Sequence, residues 1–107
     1  MAADTAGRLA HVVYFTLRDR SPAARDALVA SCRKHLDGHP GTVHFSAGVR
    51  AAGYIRPVND QSFDVALVLV FESEAAHEAY QSAPRHKVFI AEQSPNWAEV
   101  RVFDAYV

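Results

Sequence analysis

The segment FDVALVLVFE at residues 63–72 most constrains the fold, because it reads as a strand that is apolar on both faces. Successive side chains of a strand point to opposite sides. One side carries Phe63, Val65, Leu67, Leu69 and Phe71, and the other carries Asp64, Ala66, Val68 and Val70. An antiparallel sheet with helices on one side normally has polar residues on its other side. We expect Asp64 to bind a neighbouring backbone amide, because a buried carboxylate needs a partner.

The first predicted strand, RLAHVVYFTLR at residues 8–18, has the same property: His11 and Val13 share one face, and Val12 and Tyr14 share the other. An apolar face of this size is too large for a monomer to leave in water. A second copy of the same sheet would cover it, so we predict a two-fold homodimer that closes toward a barrel. We expect an interface of about 2,000 Å² or more, with His11 facing the cavity between the sheets.

A helix is predicted between the first two strands. Ser21 followed by Pro22 is a strong helix start, and Gly38 with Pro40 ends the helix after about Asp37. An apolar stripe that should pack on the sheet repeats every four residues: Ala24, Leu28, Cys32 and Leu36.

The remaining elements complete the order βαββαβ. TVHFSAGVRA at 42–51 is a predicted strand, and the long loop after it leads to the strand at 63–72. Ser73 caps a helix that ends before Pro84, a short helical piece begins at Pro84, and residues 96–107 form the last strand. This order predicts an α+β, ferredoxin-like fold: a four-stranded antiparallel sheet with helices on one face.

The composition excludes several classes of function. The 107 residues suffice for one domain, and a net charge of −1 with a pI of about 6.6 gives no attraction to nucleic acid or anionic membrane. The single cysteine, Cys32, fits a reducing compartment. The start MAADTAGRLA does not resemble a signal peptide, and the run VALVLVF is too short to span a membrane. We therefore predict a cytoplasmic protein without nucleic-acid or membrane partners.

The six histidines raise the question of a metal site. His35 and His39 have a spacing that suits two ligands on one helix, but Gly38 and Pro40 end the helix there. The chain contains no H-E-x-x-H motif, cysteine pair or nucleotide-binding glycine loop. We predict no metal site and no cofactor.

The segment EAYQSAPRHKVF at residues 78–89 carries the most suggestive chemistry. On a straight helix, Tyr80 and His86 would leave different faces, but Pro84 lies between them and can bring His86 back toward Tyr80. Such a pair could supply a general base and a hydrogen-bond donor for an oxyanion. The alternative is structural: Tyr80 anchors the core among alanines, and His86 binds a nearby carbonyl at a helix start.

Four segments resemble the stress-responsive A/B barrel (Dabb) family of the dimeric α+β barrel superfamily: HVVYFTL, HPGTVHFSAG, FDVALVLVFES and YQSAPRHKVF. The resemblance runs from about Leu9 to Asp104, and its most specific part is F-E-S-x-x-A followed by Y-x-x-x-P-x-H. It implies that residues 1–107 form a single Dabb domain and that the protein is a homodimer.

The resemblance also implies a function. A plant polyketide cyclase of this family performs an intramolecular aldol condensation without a cofactor. Its catalytic tyrosine and histidine match Tyr80 and His86, and a histidine in its pocket matches His11. We expect Val13, Val65 and Phe89 to line the same pocket, with Val65 where a further pocket histidine would be expected.

We therefore predict a homodimer that binds a small, largely apolar ligand and acts as a cofactor-free acid–base enzyme on a carbonyl compound. Two alternatives stay open. One is a non-catalytic stress-response or structural dimer. The other is a cofactor-free monooxygenase of the same superfamily, in which the substrate itself activates oxygen.

Overall fold

The computed structural model describes residues 7–107, which form a four-stranded antiparallel sheet and three helices. The strands are β1 (Leu9–Leu17), β2 (Thr42–Val49), β3 (Val65–Phe71) and β4 (Trp97–Tyr106). The helices are α1 (Pro22–Leu36), α2 (Glu74–Ser82) and α3 (Pro84–Gln93), and a 3₁₀ turn (Ser94–Asn96) precedes β4. The strand order β2-β3-β1-β4 confirms the predicted ferredoxin-like fold. None of the helices within residues 7–107 is long and apolar enough to cross a membrane.

Helix α1 follows the sequence signals closely. The Ser21 hydroxyl accepts a hydrogen bond from the Ala24 amide and caps the first turn. The predicted stripe faces the sheet, since Leu28, Cys32 and Leu36 are completely buried. Burial raises the pKa of the Cys32 thiol to about 12, so this residue acts as a small apolar side chain.

The helices cover the sheet face that carries the larger apolar side chains. The buried residues of this face are Leu9, His11, Val13, Phe15 and Leu17 on β1, and Val65, Leu67, Leu69 and Phe71 on β3. The prediction that His11 faces a cavity between two sheets is therefore wrong, because His11 points toward the helices. Alternation shows which residues share a face, but when both faces are apolar it does not show which face the helices cover.

The opposite side of the sheet has no helix over it among the described residues. We call this surface the bare face and define it by Val12, Tyr14, Val68, Val70 and Phe103. Val12 lies opposite Val68 on one side and Phe103 on the other, so these three side chains form a continuous apolar row across three strands. Phe103 is 54% exposed, and the other four are half-buried.

The connection between β2 and β3 is longer than predicted, because β2 ends at Val49 and β3 begins at Val65. Asp64 closes this connection and is almost completely buried. Its carboxylate accepts a hydrogen bond from the Leu17 amide at 2.8 Å, which confirms the expected amide partner. It also accepts from the Arg20 guanidinium at 3.0 Å. Asp64 thus joins the end of β1 to the start of β3.

Helix α3 is also longer than the short piece that was predicted, and it runs for ten residues. The break between α2 and α3 is a single extended residue, Ala83, with φ −67° and ψ 143°. The following proline favours this extended conformation, because its ring disfavours a helical conformation at the preceding residue. The two helices therefore meet at an angle above one end of the sheet, and this angle shapes the site described next.

Candidate functional site

A cavity of about 230 Å³ lies between the helix-covered face of the sheet and helices α2 and α3. Most of its lining is apolar. The apolar side chains come from the strands β1, β3 and β4 and from helix α3. The polar lining residues are His11, Tyr80, Gln81, His86 and Asp104. An apolar chamber with a few convergent polar groups is the usual form of a small-molecule site.

Tyr80 and His86 meet at this cavity because the chain breaks between α2 and α3. The Ala83 amide donates to the Tyr80 carbonyl and closes α2, and the His86 amide donates to the Ala83 carbonyl in the first turn of α3. The Tyr80 and His86 rings then pack edge to face, with centroids 4.8 Å apart. The predicted convergence of the two side chains across Pro84 is therefore present.

Tyr80 is both a core residue and a cavity residue. Its ring packs against Phe71 and His39, with centroid distances of 5.0 and 5.1 Å, and the residue is 2% exposed. Burial raises the pKa of its hydroxyl above the ordinary value of 10, and the nearby Cys32 adds a smaller effect in the same direction. The hydroxyl therefore stays protonated near neutral pH and can act as a hydrogen-bond donor.

The surroundings of His86 favour its neutral form. Burial lowers the pKa of its ring below the ordinary value of 6.5, and the neighbouring His11, His39 and His77 lower it further. Its Nδ1 atom is buried and has no hydrogen-bond partner among residues 7–107; the same holds for Nε1 of Trp97, another lining residue. Buried polar atoms in native proteins usually have a partner. These two nitrogens of cavity-lining residues therefore lack the partner that a buried polar atom normally has.

His11 is oriented by a residue that was not predicted. The register of β1 and β4 places His11 opposite Asp104, and His11 Nδ1 lies 2.6 Å from an Asp104 carboxylate oxygen. A carboxylate accepts hydrogen bonds, so Nδ1 is the donor and the lone pair of Nε2 remains free. The His11 ring lies 6.0 Å from the Tyr80 ring, centroid to centroid. Asp104 therefore fixes both the position and the tautomer of His11.

The structure brings most of the predicted site residues together. Tyr80, His86, His11, Val13 and Phe89 all line the cavity. Val65 does not: it is completely buried, and the strand residue that reaches the cavity from the same face of β3 is Leu67.

Asp104, Gln81 and Trp97 also line the cavity, and the sequence reasoning missed them. A weak signal exists for Asp104, which interrupts the apolar alternation of the last strand. Its pairing with His11, 93 residues away, depends on strand register, which the pattern alone does not give.

Fold and site together define a small ferredoxin-like domain with a polar-ended cavity under its helices. The chain belongs to the stress-responsive A/B barrel domain (Dabb) family, whose model matches residues 9–107. No curated protein sequence matches the chain.

Several solved structures have the same fold. A Dabb family protein from Mesorhizobium loti is 24% identical, covers 92% of this chain and 95% of its own, and has a TM-score of 0.76. A dimeric ferredoxin-like protein of unknown function from Thermobifida fusca is 18% identical, with coverages of 100% and 97% and a TM-score of 0.79. A hydroxynitrile lyase from Passiflora edulis is 18% identical, with coverages of 94% and 93% and a TM-score of 0.74. At these identities the likeness shows the fold alone.

Proposed function

We propose that this Dabb protein binds a small, largely apolar carbonyl compound in the cavity and catalyses a cofactor-free acid–base reaction on it. The observation that supports this most strongly is the meeting of the Tyr80 and His86 rings, 4.8 Å apart, at one cavity. A purely structural tyrosine–histidine contact would not require an open chamber beside it.

The protonation states suit proton abstraction next to a carbonyl. Neutral His86 accepts a proton from the carbon beside the carbonyl group, and the C–H electron pair moves toward the carbonyl oxygen. The protonated Tyr80 hydroxyl donates a hydrogen bond to that oxygen as its negative charge develops. His11, held by Asp104, presents Nε2 to the same chamber and orients the substrate. The imidazolium of His86 returns its proton in a later step, so no external acid, base or electron carrier is consumed.

The dimensions of the cavity limit the ligand. Its volume of about 230 Å³ lies below the roughly 300–1,000 Å³ of pockets for drug-sized molecules. The apolar side chains that surround the polar groups, such as Val13, Phe89 and Val102, favour a hydrocarbon or aromatic body. We infer a ligand with one or two carbonyl or hydroxyl groups at one end.

The assembly that we propose is a homodimer joined through the bare face. Its apolar row of Val12, Val68 and Phe103 is the kind of surface that a second copy covers. The Thermobifida fusca protein with the same fold is described as dimeric, which supports this arrangement. Since the cavity lies on the other side of the sheet, each protomer would keep its own site.

Deuterium exchange of a ketone provides a direct test, because it needs only the proposed proton abstraction. Acetophenone has an aromatic body and exchangeable methyl protons beside its carbonyl, and NMR in D₂O follows the loss of the methyl signal. We expect wild-type protein to accelerate the exchange. His86→Ala should reduce the acceleration about 100-fold or more, and Tyr80→Phe, which removes only the hydroxyl, about 10- to 100-fold.

His44→Ala is the matched control, because His44 lies exposed on β2, outside the cavity lining, and its ring makes a hydrogen bond with the Ser46 hydroxyl. Exchange that is equally fast in the Tyr80 and His86 variants would reject the catalytic role. No acceleration with acetophenone or with an aliphatic methyl ketone would favour the non-catalytic dimer. Oxygen uptake with a phenolic substrate would instead favour the monooxygenase alternative.

A further inference from the structure

Three side chains from three different elements converge at one end of the cavity. His77 on α2 lies over the His11–Asp104 pair, and the rings of His77 and His11 are 4.7 Å apart between centroids. One nitrogen from each histidine and one oxygen of Asp104 all lie within 4.8 Å of one another. The His77 ring also packs beside Phe71, with centroids 5.5 Å apart, and the proposed reaction gives it no role.

The donor set and its spacing suit a transition-metal ion. Imidazole nitrogens and carboxylate oxygens bind Zn²⁺ at about 2.0–2.2 Å, so two ligands of one tetrahedral ion lie about 3.3 Å apart. His11 Nδ1 and the Asp104 oxygen are 2.6 Å apart. An ion bound to both atoms would replace their shared proton, which would leave His11 protonated at Nε2 instead, and the two atoms would separate slightly. His77 is partly buried and Asp104 is exposed, so their side chains have room to rotate toward a shared ion.

A neighbouring side chain can orient His77 for this role. Gln81 lies one helical turn further along α2, and its amide contacts His77 Nε2 at 2.9 Å. The contacting atom is the amide nitrogen, which donates to His77 Nε2. A half-turn of the amide group would bring its oxygen to this position, where it would accept the Nε2 proton and leave the lone pair of Nδ1 free. Metal-binding histidines are commonly held by such a hydrogen bond at their other nitrogen.

We propose that His11, His77 and Asp104 form a binding site for a divalent transition-metal ion with the ligand preferences of Zn²⁺. Because His11 and Asp104 also line the cavity, the remaining coordination position would open toward a bound ligand. The prediction of no metal site rested on ligand spacing along the chain, and these three residues are too far apart in sequence to give such a signal. The proposal goes beyond the proposed reaction, in which neither Tyr80 nor His86 binds a metal.

Metal titration of an untagged, chelator-treated protein tests the site. Calorimetry with Zn²⁺ should show one ion per protomer, and Co²⁺ should give the visible absorption bands of a protein-bound ion. His77→Ala and Asp104→Asn should each weaken Zn²⁺ binding at least about tenfold. His44→Ala should bind as wild type, since His44 lies on β2, outside the cluster. Substitution of the buried His11 could disturb the fold, so the test compares variants of the two more accessible ligands, His77 and Asp104.

Three outcomes would overturn the proposal. The first is no Zn²⁺ binding by wild-type protein tighter than about 1 mM. The second is unchanged affinity in either the His77 or the Asp104 variant, since the site needs all three ligands. The third is binding that depends on His44 and not on His77. Repeating the ketone exchange with a chelator present separates the two proposals, because the proposed reaction requires no metal.

Discussion

The two faces of the sheet are similar in sequence but differ in what they hold. Both faces of β1 and β3 are apolar, as the alternation predicted. The helix-covered face also buries polar groups around a cavity, among them His11 and the Tyr80 hydroxyl. The bare face presents Val12, Val68 and Phe103 without a buried polar partner among them.

This difference shows how apolar residues serve two purposes in one small sheet. Under the helices, the apolar surroundings change the chemistry of the polar groups: burial lowers the pKa of His86 and raises that of Tyr80. On the bare face, Val12, Val68 and Phe103 carry no ionisable group and are suited to contact with another apolar surface. The contrast agrees with the two proposals, which place the reaction under the helices and assembly on the bare face.

A charge on the bare face should have the largest effect. Val68 lies at one end of the apolar row, on the inner strand β3, opposite Val12. Val68→Asp would place a carboxylate within the proposed interface, where desolvating it without a partner is strongly unfavourable. We expect sedimentation at micromolar concentration to show a dimer for wild type and a monomer for this variant.

Val88→Asp is the matched control, because Val88 is 46% exposed on α3, away from the bare face. It should remain a dimer. A wild-type protein that sediments as a folded monomer would contradict the assignment of the bare face to assembly. So would a Val68→Asp dimer with unchanged stability.

The sequence predicted the order of the elements better than their arrangement. Local chemistry determines the order of the elements: Ser21 and Ser73 cap helices through their own hydroxyls, and Pro84 separates α2 from α3. Which face the helices would cover was not determined locally, because both faces are apolar. The placement of His11 therefore failed, although its neighbours on the strand were assigned correctly.

The site was predictable only in part for the same reason. The Tyr80–His86 contact depends on a spacing of six residues with a proline between them, which the sequence shows directly. The His11–Asp104 contact joins the first and last strands, and the approach of His77 depends on how α2 packs over the sheet. Contacts of that kind arise from strand register and helix packing, and no short motif encodes them.

The attachment of the helices to the covered face can be probed by two glycines with almost identical backbones. Gly38 and Gly41 have φ of +80° and +82°. A Cβ at Gly38 would meet nothing within 4 Å, whereas one at Gly41 would lie 2.5 Å from the Ala76 Cβ of α2. Gly38→Ala should therefore lower the free energy of unfolding by about 1 kcal/mol through backbone strain alone. Gly41→Ala should lower it by about 2–4 kcal/mol, because α2 must also move.

Urea denaturation of the two variants measures the difference. Gly41→Ala should also slow ketone exchange, because the added Cβ displaces α2 and this helix carries Tyr80. Equal losses of stability would show that α2 moves away from the turn without a penalty. In that case the covered face would be less rigid than the close Gly41–Ala76 approach indicates.

The smallest expected effect concerns the pH dependence of the covered face. Exchange requires neutral His86, so its rate should rise with pH through the pKa of this residue and then level off. Because burial and the neighbouring histidines lower that pKa, the midpoint should fall below 6.5. The plateau should extend into the alkaline range, since the pKa of Tyr80 is raised above 10.

His77→Gln removes one of the nearby histidines and should raise the pKa of His86 by a fraction of a unit. NMR titration of the His86 ring, with a chelator present, measures this shift. A wild-type midpoint at or above 6.5 would show that the ring is solvated, and the chemical contrast between the two faces would then be lost.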